Sequence, residues 1–171
     1  MSRSIPLLSP PFSDSASAHL INRLGYAGLI PFVALTALMW LVAPEFQPFV
    51  AIALLGYGAV ICSFLGGIHW GIAFEEIQNE RCAHPEENYQ THLVKGTGFH
   101  LVWGVVPSLV AWVAVVMPAY AGLPVLALLL VVCYTVDRKT WITPALRPWL
   151  TLRFRATLVS VLCCLLGAVA T

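Results

Sequence analysis

The chain has 171 residues, 59% of them apolar and only 10% charged, with a formal net charge of +1. A soluble domain of this size carries about 25% charged residues and cannot cover a water-facing surface without them, so the composition excludes an ordinary soluble domain. The near-zero net charge also excludes a global basic field of the kind that attracts nucleic acid.

Lipid is the solvent that suits such a chain, and the expected fold is all-α, a polytopic transmembrane bundle. Residues 1–22 are rich in Ser and Pro and read as a flexible leader; residues 23–171 read as one membrane domain. The first span is expected over 24–42. It is too long for the apolar stretch of a secretory signal, and Pro31 should kink it or mark where its regular helix begins. The second span, 49–74, belongs to the longest apolar run, with His69 as its only strongly polar side chain. Residues 75–95 are polar and hold five of the eight acids, and Pro85-Glu86-Glu87 looks like a helix start. The third span follows over 96–116. A turn near Pro118 leads to a fourth over 120–136, and the last covers 152–171. The fourth and fifth are short against the ~17–25 residues of a comfortable span, so a re-entrant hairpin is their structural alternative. The fifth reaches spanning length with Arg153 and Arg155 snorkelling to the headgroups.

Charge fixes the expected orientation. With five spans, all nine positive residues (Arg3, Arg23, Arg81, Lys95, Arg138, Lys139, Arg147, Arg153 and Arg155) fall on the side of the N-terminus, and the other side has none. The positive-inside rule then assigns the N-terminus to the cytoplasm and the C-terminus to the outside, in a bacterial cytoplasmic membrane. Trp40, Trp112 and Tyr120 suit the outer interface; Tyr26, Trp70, Tyr134, Trp141 and Trp149 suit the inner one. Residues 137–155 are expected to lie along the cytoplasmic surface.

The densest motif is Gly56-Tyr-Gly-Ala-Val-Ile-Cys-Ser-Phe-Leu-Gly-Gly-Ile-His-Trp-Gly71. On a helix, Ala59, Ser63, Gly67 and Gly71 form one small-residue stripe, and Gly58, Cys62 and Gly66 a second. Such stripes let helices approach closely in lipid, where apolar surface alone gives no attraction, so this span is expected to be the packing hub. His69 falls on the face of Cys62 and Gly66. His100 sits at similar depth on the third span, where Pro107 frees the carbonyl of Trp103. Two such histidines could hold helices together, bracket a haem or bind a metal. Cys82, His84, Glu86, Glu87 and His92 match no standard metal spacing. Cys62, Cys133, Cys163 and Cys164 lie in apolar runs, where cysteine behaves as a small hydrophobe, and with Cys82 the count is odd, so no disulfide framework is read.

The strings GYGAVICSFLGGIHWG, VVPSLVAW and VDRKTW…RPWLTLRFRATLVS resemble the domain of unknown function 3429 family, from about Leu24 to the C-terminus. The resemblance implies a polytopic α-helical membrane protein with no established activity, cofactor or catalytic residue. It also implies that arginine can stand where His69 stands, which favours a polar or cationic role there over metal ligation. The expected function is non-enzymatic: a packing, assembly or stabilising factor. Its partners would be the lipid bilayer and other membrane proteins or a second copy, with no nucleic acid and no cofactor. The candidate residues are Ser63, Gly66, Gly67, His69, Trp70, Gly71 and His100. A small transporter or channel using His69 and His100 is the alternative, weakened by the lack of any buried Asp, Glu or Lys to couple an ion. A haem-carrying redox subunit using the same histidines is a second.

Overall fold

The computed structural model describes residues 15–83, 97–140 and 147–171. Within them the chain forms only helices: α1 (Ser15–Ala27), α2 (Ile30–Leu41), α3 (Gln47–Ala83), α4 (Thr97–Trp103), α5 (Val106–Val116), α6 (Ala119–Thr140) and α7 (Arg147–Val169). Hydrocarbon offers no partner for backbone N–H and C=O groups, so a spanning chain must satisfy them internally, and the helix does so segment by segment. Among the described residues, five stretches are long and apolar enough to cross a membrane: His19–Leu41, Gln47–Asn79, Thr97–Val116, Ala119–Thr140 and Leu150–Val169. The chain is an all-α, multi-pass membrane protein, as its composition implies.

Several boundaries differ from those read in the sequence. Ser15–Asn22 belong to α1, so the part of the leader that the structure describes is helical; residues 1–14 lie outside the described residues. The helix of the second span, α3, continues past Phe74 to Ala83 and carries Glu75 and Glu76 beyond the expected end of the span. The Pro85 helix start, and His84, Glu86, Glu87 and His92, lie outside the described residues. The fourth span does not stop at Val136 but runs to Thr140, and the fifth helix begins at Arg147. Both are therefore helices of spanning length, 22 and 23 residues, and they pack along one another.

Two spans are broken, each just before a proline. The regular hydrogen-bond ladder is interrupted at Gly28–Leu29 before Pro31 and at Gly104–Val105 before Pro107, where Leu29 and Val105 keep helical backbone angles but bond three residues back, and each proline sits in the first turn of the helix that follows. Proline has no N–H and crowds the preceding turn, so carbonyls near each break need other donors. Both receive them from α3. The Tyr57 hydroxyl donates to the Gly28 carbonyl at 2.7 Å. At the second break the N–H of Val105 turns to Val102, and the indole N–H of Trp70 donates to the Leu101 carbonyl at 2.9 Å.

These bonds follow from the position of α3 at the centre of the bundle, against α2, α4, α5 and α6. Its inward face carries Leu54, Leu55, Cys62 and Leu65, packed on Phe32 of α2, on Ala111 and Ala114 of α5, and on Leu123, Leu126 and Leu130 of α6. Gly66 permits a close approach: a Cβ there would stand 2.6 Å from the carbonyl oxygen of Gly104. Gly104 in turn leaves the space that the Trp70 ring fills. Sequence and packing thus agree on the second small-residue stripe. In the first stripe, Gly67 and Gly71 face outwards, with open space where a Cβ would be.

Candidate functional site

At one end of the apolar core, side chains from four helices form a continuous polar chain. His69 of α3 is fully buried. Its Nδ1 lies 2.8 Å from Nδ1 of His100 on α4, and its Nε2 lies 3.0 Å from Oδ1 of Asp137 on α6. Asp137 is 1% exposed, and its other oxygen accepts a hydrogen bond from Nη2 of Arg153 on α7, itself 6% exposed. On the far side, Nε2 of His100 faces Oε1 of Glu76 at 4.0 Å, and the Thr97 hydroxyl donates to the other Glu76 oxygen at 2.9 Å. Trp103 stands edge-on to the His69 ring, and Phe99 stacks on Trp103.

Local sequence explains the convergence. His69 follows Gly66 by one helical turn, so the close α3–α5 approach at Gly66 carries His69 towards the start of the third span. Trp70 clamps that contact through the Leu101 carbonyl. Asp137 and Arg153 meet because α6 and α7 pack along their length.

The hydrogen bonds constrain where protons can sit. Asp137 as a carboxylate only accepts, so Nε2 of His69 carries the hydrogen that faces it. Between the two Nδ1 atoms one must donate and the other accept. With both rings neutral, His100 donates from Nδ1 and presents an Nε2 lone pair towards Glu76. One added proton turns Nε2 of His100 into a donor facing that carboxylate, and it balances the charges of Arg153, Asp137 and Glu76. A second proton would set two N–H groups head to head at 2.8 Å. The pair therefore accommodates one proton.

The seven residues singled out in the sequence separate into distinct roles. His69 and His100 meet directly. Gly66 and Trp70 build the contact that brings them together. Ser63 returns its hydroxyl to the Ala59 carbonyl of its own helix at 2.9 Å, a local bond with no reach to the histidines. Gly67 and Gly71 lie on the outer face, away from the polar chain.

Asp137, Arg153 and Glu76 were missed. Residues 137–155 were expected along the membrane surface, with Arg153 snorkelling outwards; instead Asp137 and Arg153 point inwards and are buried. A carboxylate and a guanidinium side by side neutralise each other, whereas each alone is costly in hydrocarbon. The buried carboxylate also removes the stated objection to an ion-coupled role. The available signal was an acid ending one span and an arginine three residues inside the next, at the same depth. Among the described residues, no cluster of three or more His, Cys, Asp or Glu side chains is placed to hold a metal ion. The histidine nitrogens that would bracket an iron bond one another instead; ligating from opposite sides would separate them by roughly twice the ~2.0–2.1 Å of an imidazole–metal bond.

Comparison with known proteins gives the chain a family context. Residues 17–169 match the family described as "Protein of unknown function (DUF3429)". The chain is 41% identical over 91 residues to Transmembrane protein 69 of Xenopus tropicalis, an alignment covering 53% of this chain and 30% of that protein. It is 25% identical over 158 residues to Transmembrane protein 69 of Mus musculus, covering 88% of this chain and 58% of that protein. The chain thus covers less than two thirds of the length of each of these two relatives. No solved structure matches it.

Proposed function

The chain belongs to the DUF3429 family of proteins of unknown function, and we propose that it works as a non-enzymatic packing or assembly factor of the membrane. The observation that carries this reading is the way the polar chain, buried from Arg153 to His100 and half-exposed at Glu76, is used. Arg153, Asp137, His69, His100 and Glu76 are spent on one another across α7, α6, α3 and α4. Beyond them, towards the far side of the membrane, lies an apolar core of Leu54, Leu55, Leu123, Leu126 and Leu130. Polar side chains used in this way hold helices in register, and such a lock would keep the outer face of α3, with Gly67 and Gly71, in a fixed shape for a partner helix. In this reading the N-terminus faces the cytoplasm, on the side of the positive residues.

The test is site-specific photocrosslinking in the native membrane from Gly67 and Gly71, with exposed Val102 on α4 as the control position. A partner polypeptide caught from either glycine, absent at the control, and lost when the other glycine is replaced by leucine (Gly71→Leu with the probe at 67, Gly67→Leu with the probe at 71), is expected. Crosslinks to lipid alone at both glycines would sink the reading.

A second reading, a small proton-coupled transporter, is favoured by one observation: two histidines in hydrogen-bond contact lie between two carboxylates. Proton-driven flux in proteoliposomes that disappears with His69→Gln and His100→Gln supports it, and flux indifferent to both substitutions removes it.

A further inference from the structure

We propose that the break between α1 and α2 is a binding site for one anionic diacyl phospholipid. Two recesses flank the break and share Leu29 as the ridge between them. The first is a groove of about 150 Å³ between α1, α2, α3 and α7, walled by apolar groups such as Leu24, Phe32, Phe64 and Leu152. The second, of about 350 Å³ and shallower, is formed by Tyr26, Leu29, Ile30, Val33 and Ala34. Two apolar recesses separated by one side chain match the two acyl chains of a single lipid.

The polar groups match its head. Arg153 is the charged residue in the lining of the deeper groove. Its Nη2 is engaged by Asp137, but its Nε, although buried, has no hydrogen-bond partner among the described residues. A buried N–H left unmade is costly in hydrocarbon. Arg153 stands three residues inside Leu150, the first residue of its candidate span, roughly 4.5 Å along the helix, at the end of the span where glycerol ester carbonyls can reach it. A neutral carbonyl oxygen suits this donor better than a phosphate, because the same guanidinium already holds a carboxylate.

The phosphate has its own partners at the rim. Nη1 of Arg155, exposed on α7, meets the Tyr26 hydroxyl at 3.3 Å, beside the shallower recess. Arg23, also exposed, precedes Tyr26 by one turn on α1. Two exposed arginines without an acid beside them in α1 or α7 complement an anionic headgroup.

The experiment uses the full chain in phosphatidylcholine nanodiscs with and without phosphatidylglycerol, released into detergent, with retained lipids counted by native mass spectrometry. Wild type should keep one phosphatidylglycerol in preference to phosphatidylcholine. Arg23→Gln with Arg155→Gln should lower that preference roughly fivefold or more. Ala156→Phe, which fills the deeper groove, should reduce retention of both lipids. Ala34→Phe does the same from the lipid-facing recess and serves if Ala156→Phe does not fold. Equal retention of the two lipids by wild type overturns the proposal. So does a preference that survives loss of both arginines, or retention indifferent to the groove-filling variants.

Discussion

His69 and His100 are joined Nδ1 to Nδ1 at 2.8 Å, with their rings edge to edge, the planes inclined at 25°, and a carboxylate beyond each outer nitrogen. The symmetry of that arrangement limits its proton content. One extra proton gives each outer nitrogen a hydrogen facing an acid, and a second has no lone pair left between the rings.

The first prediction concerns that count. In the protein labelled with ¹⁵N-histidine and held in a bilayer, titration should show the pair taking up a single proton, with Nδ1 resonances of both residues moving together. Two separate protonations of one unit each would mean that the rings are not bonded as described. His100→Phe should leave the Nε2–H of His69 on Asp137, and so keep that resonance in place.

A second prediction separates the two small-residue stripes of α3. Gly66→Ala drives a methyl against the Gly104 carbonyl and should destabilise the fold by about 1–3 kcal/mol, the usual cost of overpacking. Gly67→Ala meets open space and should be neutral or slightly stabilising, within about 1 kcal/mol, because alanine is the better helix former. Thermal or chemical unfolding in detergent compares them directly. Equal losses at both positions would show that Gly66 is not at a close contact.

Third, the proline breaks depend on donors from α3. Tyr57→Phe and Trp70→Phe each remove one hydrogen bond to a carbonyl beside a break, at Gly28 and Leu101. Each should cost about 0.5–1.5 kcal/mol. The two losses should add, because the sites lie on different spans and share no partner. Trp70→Ala should cost more than Trp70→Phe, since it also empties the space beside Gly104. A Trp70→Phe variant as stable as wild type would indicate that the Leu101 carbonyl finds another donor.

Much of the fold could be read from the sequence because lipid imposes a simple rule. Runs such as 49–74 and 96–116 have no soluble explanation, and the segregation of all nine cations to one side of the membrane requires a count of five. The proline breaks were also legible, since Pro31 and Pro107 have the same backbone consequence in any context. His69 and His100 stood out as ionisable residues within apolar runs, though their meeting depends on the α3–α5 approach that Gly66 sets. Asp137, Arg153 and Glu76 were hidden for a physical reason. Each lies where a span ends and water begins in a one-dimensional reading, and there a charge is ordinarily solvated. Only the pairing of α6 with α7, and the extension of α3 beyond Phe74, turns those three side chains towards the histidines. The outward direction of Gly67 and Gly71 was similarly undetermined, because both stripes have the same spacing and only packing distinguishes them.

The account rests on the bond between Asp137 and Arg153 that anchors the polar chain to α7, and a double-mutant cycle in bilayers tests it most directly. Asp137→Asn or Arg153→Met alone leaves the other charge buried without its partner and should cost about 3–5 kcal/mol. The double variant should lose clearly less than the sum of the two. Additive losses, with no coupling between the positions, would contradict the buried ion pair and with it the lock that holds α3, α4, α6 and α7 together.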